Sequence, residues 1–183
     1  MSGHSKWSQI KHKKAATDEK KAQLFSKISR FINVAVKEGG SDLSINPRLK
    51  LAIEKAKEVN MPNDNIERAV KKGLGAATGE NLEEALYEAY GPAGTAIIIE
   101  VITDNKNRTL NEIKHLLSQY DAKISAPGSA LWAFEKPAGQ EKWEPKHLIP
   151  VENNEDKEKV RKLLKELENN DDVQNITINA NLK

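Results

Sequence analysis

Leu86-Tyr87-Glu88-Ala89-Tyr90-Gly91-Pro92-Ala93-Gly94-Thr95-Ala96-Ile97-Ile98-Ile99-Glu100-Val101-Ile102-Thr103 holds two runs rich in aromatic and β-branched residues, parted by a Gly-Pro-Ala-Gly turn. Residues of that kind suit a pleated, half-buried surface, so residues 86–90 and 95–103 read as two strands in a hairpin-like arrangement. The second run is apolar on both sides except at Glu100, which places it centrally in a sheet covered on one face.

Downstream, residues 108–120 carry Leu110, Ile113, Leu116 and Leu117 at helical spacing, with Asp104 or Asn107 as candidate caps. Short strands are expected at residues 122–125 and 130–134, and 137–145 reads as irregular. A strand near 147–151, a Lys/Glu-rich amphipathic helix at 156–169 and an alternating strand at 173–179 complete the chain. Strands and helices mixed in this order predict an α+β sandwich with one helical face over residues 82–183.

Upstream lies a different pattern. Residues 74–81 are small and polar, and read as a linker. Before them, Leu24, Phe25, Ile28, Phe31, Ile32 and Ala35 share one helical face, with Thr17 as its cap and Gly39-Gly40 as its stop. Asn46-Pro47 opens a second helix that Asn60 ends, and a third starts near Pro62 or Asn63 and closes at Gly73. Residues 1–73 therefore read as a three-helix bundle behind a basic N-terminal arm, residues 1–16, with no sustained apolar period.

Charge divides the same way. Residues 1–80 hold 16 Lys/Arg against 9 Asp/Glu (+7), residues 81–183 hold 13 against 18 (−5), and together they give the net +2. In the first part Lys6, Lys11, Lys13, Lys14, Lys20, Lys21, Lys27 and Arg30 face only Asp18 and Glu19. A cluster of this density gains most beside a polyanion, where each phosphate contact releases counterions. Trp7 and His12 sit among the lysines and can stack on an unpaired base; alternatively Trp7 and Ile10 fold back on the bundle. Lys106 and Arg108, in a strand-to-helix connection, suit either a phosphate at a helix N-terminus or simple capping.

Several function classes lack their residues. The chain of 183 residues has no cysteine, so thiolate metal sites, disulfides and cysteine nucleophiles are out. None of its four histidines pairs with a second ligand at metal-site spacing. No P-loop, nucleophile elbow or carboxylate dyad is present, and Gly73-Leu74-Gly75 follows a helix where a dinucleotide fingerprint would follow a strand. Apolar runs such as Ala96-Ile97-Ile98-Ile99 are far short of the ~20 residues of a membrane span, and the lysine-bearing start does not read as a signal peptide. The expectation is a cytoplasmic, non-enzymatic protein without cofactor, metal or small-molecule substrate.

Gly3-His4-Ser5-Lys6-Trp7, Ile10-Lys11-His12-Lys13-Lys14-Ala15-Ala16, Asn46-Pro47-Arg48-Leu49, Asn60-Met61-Pro62, Asp64-Asn65-Ile66-Glu67-Arg68-Ala69, Tyr90-Gly91-Pro92, Asp104-Asn105-Lys106-Asn107-Arg108-Thr109 and Asp171-Asp172-Val173 together resemble the YebC family. That resemblance implies a helical first domain, a ferredoxin-like α+β architecture after it, and regulation of gene expression. Members are labelled DNA-binding transcriptional regulators, whereas others look like ribosome-associated translation factors or a mitochondrial translational activator, so the resemblance leaves DNA and ribosomal RNA both open as partner. The family usually inserts a third α+β domain where this chain has only about residues 137–146.

Overall fold

In the computed structural model the N-terminal region is helical from His4, because residues 5–38 contain neither Gly nor Pro and are rich in Lys and Ala, residues that hold a helix without needing an apolar stripe. The structure describes residues 4–75, 81–138 and 142–182, with side chains from residue 18 onward. The chain divides into two compact units, Met1–Gly79 and Glu80–Lys183. Most of the expected linker, residues 76–80, lies outside the described residues.

The first unit is α1 (His4–Gly39), α2 (Pro47–Glu58) and α3 (Asn63–Gly73). The extended arm expected over residues 1–16 is corrected here: from His4 it is the start of α1, and Thr17 lies inside the helix instead of capping it. The expected core face is present from Phe25 to Ala35, whereas Leu24, expected on it, is exposed. Ile28, Ile32, Ala35 and Val36 of α1 meet Leu49, Ala52 and Ala56 of α2 and Ile66 and Ala69 of α3.

Asn46 holds this bundle at one point. Its Oδ1 accepts from Leu49 N at 2.9 Å, capping α2, while its Nδ2 donates to the carbonyls of Ala35 (2.8 Å) and Gly40 (2.7 Å) at the end of α1. Near the same end of α1 the C-terminus of α3 touches that helix so closely that a Cβ on Gly73 would lie 2.7 Å from the carbonyl oxygen of Asn33 and from Val36 Cβ. Only glycine fits there.

The second unit is an antiparallel sheet in the order β3-β1-β2-β7, built from β1 (Glu83–Tyr90), β2 (Ala96–Thr103), β3 (Lys123–Ile124) and β7 (Val173–Ile178). β1 and β2 pair from Glu83↔Thr103 to Tyr90↔Ala96, so the hairpin is as expected. Two helices, α4 (Lys106–Ser118) and α5 (Asn154–Glu168), cover one face, where Ile97, Ile99 and Val101 pack with Ile113, Leu117, Leu163 and Leu167. This is the α+β sandwich of ferredoxin-like layering. The remaining strands are two-residue pairs: β4 (Phe134–Glu135) with β5 (Glu144–Pro145), and β6 (Ile149–Pro150) with β8 (Ala180–Asn181).

Three expectations differ from the structure. The sheet is covered on both faces: Ala96 and Ile98, alternating with the residues above, pack with Ala130, Ala133 and Phe134 on the side away from the helices. α4 is capped by Asn105, which accepts from Arg108 N at 3.0 Å, and not by Asp104 or Asn107. Residues 130–134 form a 3-10 turn, Leu131–Ala133, ahead of β4 instead of a strand. The reason is Glu88, a buried residue of β1, whose carboxylate takes the N–H groups of Gly128, Ala130 (2.7 Å) and Leu131 (2.8 Å), leaving them none to give a ladder.

Candidate nucleic-acid interface

At 1.5 Å per residue the 36 residues of α1 span about 54 Å, while the 12 residues of α2 span about 18 Å. α2 and α3 are thus too short to cover α1. Among the described residues, the shared core draws on α1 from Phe25 onward, and Asp18, Glu19, Lys20, Lys21 and Ala22 ahead of it are exposed.

The change is visible along single stripes of the helix. Lys21 stands two turns before Ile28 and four before Ala35, so one stripe carries a cation first and then the residues that face α2 and α3. Lys20 and Lys27 share the neighbouring stripe at the same spacing, Lys20 exposed and Lys27 half-buried, with Arg30 half-buried one turn further. Lys6, Lys11, Lys13 and Lys14 lie in the helical backbone of α1, as do Trp7 and His12; their side chains are outside the described residues. The first turn of α1 has no acidic residue to offset the positive end of its dipole. Lysines and dipole therefore add to one positive field.

At the bundle end of α1, Phe31 lies between two cations, with the Arg48 guanidinium 5.3 Å and Lys55 Nζ 4.9 Å from its ring centre. Arg48 also pairs with Glu38. The ring and the carboxylate both hold the one arginine near the start of α2, and Lys50 beside it is exposed.

Lys106 and Arg108 stand in the second unit and are engaged there. Lys106 Nζ is 2.6 Å from Glu83 Oε2, a hydrogen bond and charge that raise the lysine above its ordinary value. Arg108 reaches Asp172 at 2.7 Å, Asp104 at 2.8 Å and Glu112 at 3.5 Å, and its hydrogen bonds to Asp172 and then Asp104 raise its pKa. Thr109 Oγ1 donates to the same Asp172, and Tyr87 donates to the Lys106 carbonyl at 3.0 Å. These contacts fasten the start of α4 to the sheet. The structure thus sets Lys20, Lys21, Lys27 and Arg30 along α1 of the first unit, and Lys106 and Arg108 at the start of α4 in the second.

Among the described residues, no group of three or more His, Cys, Asp or Glu could hold a metal ion, and no helix is long and apolar enough to cross a membrane.

The comparisons with known proteins divide the chain where its two compact units part. Residues 5–76 match the TACO1/YebC protein N-terminal domain and residues 82–141 the TACO1/YebC second and third domain. The chain belongs to the TACO1/YebC family. It is 55% identical over 136 residues to a "probable transcriptional regulatory protein" of Thermoanaerobacter pseudethanolicus, covering 74% of this chain and 55% of that protein. A protein of the same description from Fusobacterium nucleatum is 54% identical, again over 74% of this chain and 55% of its own length. The chain thus spans about half the length of these curated relatives. A crystal structure of a conserved hypothetical protein from Aquifex aeolicus superposes with a TM-score of 0.82 at 32% identity, covering 87% of this chain and 90% of that one.

Proposed function

We propose that this protein is a non-enzymatic, cytoplasmic regulator of gene expression that binds nucleic acid along α1, without cofactor or small-molecule substrate. The observation that carries this reading is the exposed, lysine-bearing length of α1 ahead of Phe25, which its own bundle is too short to cover. Lys20 and Lys21, with Lys6, Lys11, Lys13 and Lys14 on the same helix, supply most of the affinity through phosphates. Lys27 and Arg30 extend the surface toward the bundle, and Trp7 and His12 offer rings to unpaired bases. Lys106 and Arg108 serve the second unit's architecture in this account.

The relatives' description as probable transcriptional regulatory proteins supports DNA as the partner. A second reading, a translation factor bound to ribosomal RNA, is favoured by Arg48: a duplex reader needs free side chains at base edges, and this arginine is held by Glu38 and Phe31. A helix that contacts phosphates alone reads shape, which suits a folded RNA. Crosslinking in cells, with sequencing of the bound DNA and RNA and sedimentation against ribosomes, decides between them. Promoter peaks without ribosome co-sedimentation support the DNA reading; ribosomal RNA crosslinks through α1 without promoter peaks support the other. Absence of both removes the proposal.

A further inference from the structure

Among the described residues of the second unit, one aromatic side chain is largely open to solvent: Trp132, 64% exposed. Its setting is constrained. The indole N–H donates to the Ser129 carbonyl at 2.8 Å, and the Tyr90 hydroxyl donates to that same oxygen. The turn beneath it is held by Glu88 through Gly128, Ala130 and Leu131, with Gly128 at φ +83°. The polar edge of the indole is thus tied to the protein, and what remains exposed is the apolar surface of a ring with little freedom left to lose on binding.

The surroundings narrow the occupant. Leu86, the exposed apolar residue of β1, is four residues from Tyr90, about 13 Å along the strand, and Ser129 and Ala133 beside the indole are small. Leu148, two residues beyond Lys146, is exposed as well, but among the described exposed apolar side chains of the second unit only Trp132 offers a flat ring. Two exposed cations stand near. Lys123 is directly across from Tyr90 in the ladder and hence on its face of the sheet, and the Lys146 N–H donates to the Ala133 carbonyl at 2.9 Å. The buried carboxylate closest to the turn, Glu88, is already matched by three backbone donors, while Glu135 is exposed three residues along the chain.

We propose that Trp132 is a stacking platform for an unpaired base of a single-stranded nucleic acid, with Lys123 and Lys146 set for the flanking phosphates. This rests on the nucleic-acid reading above and adds a second contact, in the second unit, selective for unpaired strands.

The test is fluorescence anisotropy of the full chain with labelled single-stranded RNA and DNA of about 12 nucleotides and with a duplex of the same length. Wild type is compared with Trp132→Ala, Trp132→Phe and a Lys20→Gln/Lys21→Gln double variant. Trp132→Ala should weaken single-strand binding about five-fold or more, with duplex affinity and the salt slope unchanged, and Trp132→Phe should recover most of the loss. The double lysine variant should instead lower the slope for both ligands, so failure of the α1 reading and failure of this one are told apart. Single-strand binding that is absent, insensitive to Trp132→Ala, or lost in step with duplex binding would overturn the proposal.

Discussion

Arg108 Nη2 meets Asp172 Oδ2 at 2.7 Å, joining the first turn of α4 to the residue that precedes β7 across 64 positions of sequence. Asp172 is only 3% exposed, and Thr109 and Arg108 are the side chains seen to satisfy its carboxylate. Removing the guanidinium leaves a buried charge with one fewer partner. Arg108→Gln is expected to cost about 1–3 kcal/mol of stability, measured by urea unfolding. In the present account it leaves the salt dependence of nucleic-acid binding unchanged; a reduced slope would return Arg108 to the interface.

Asn46→Ala removes the cap of α2 and two donors at once, and leaves the Ala35 carbonyl buried without the amide. The expected loss is about 2–4 kcal/mol. Thermal unfolding followed by helical circular dichroism should show the first unit melting earlier. A change under about 0.5 kcal/mol would contradict the role given to this side chain.

Gly73→Ala tests the approach of α3 to α1. The added methyl meets backbone and a β-branched carbon at 2.7 Å, neither of which can swing aside, so the bundle must part by a fraction of an ångström. A destabilisation of about 1–3 kcal/mol is expected, although alanine is the better helix former.

Much of this architecture is legible in the sequence. The alternation in residues 86–103, the Asn46-Pro47 start and the apolar faces at Phe25–Ala35 positions and at Ile113 and Leu117 each reflect local periodicity, and each is found in place. Two features depend on something else. Residues 4–16 have no apolar stripe, so periodicity gives no helix there, yet propensity without a breaker continues α1 through them. The turn at 128–131 is set by Glu88, some 40 residues away, and no local pattern announces that a strand glutamate will take three backbone donors. The basic surface was readable as composition; its extension along one rod was not, and Trp132 gave no signal because its exposure follows from that distant clamp.

Glu88 also makes stability depend on pH. Burial pushes its carboxyl up, but hydrogen bonds from Gly128, Ala130 and Leu131 outweigh this and hold it below the ordinary glutamate value. A carboxyl depressed in the folded state contributes stability that is complete above the unfolded value, about pH 4.3, and is lost as pH falls through the folded one. Glu88→Gln, which keeps the size and lacks that charge, should be less stable than wild type by about 1–3 kcal/mol near neutrality. The gap should narrow on acidification below about pH 4.3; a gap that widens there would contradict the assignment.

The central claim is that α1 is the phosphate-binding surface. Its most direct measurement is the affinity of the full chain for duplex DNA and structured RNA over a salt series, for wild type and for a variant with Lys11, Lys13, Lys14, Lys20 and Lys21 changed to Gln. Each lost phosphate contact should lower the slope of log K against log salt by about 0.7–0.9, and binding should fall steeply at low salt. The same affinity and the same slope in the variant would contradict the account.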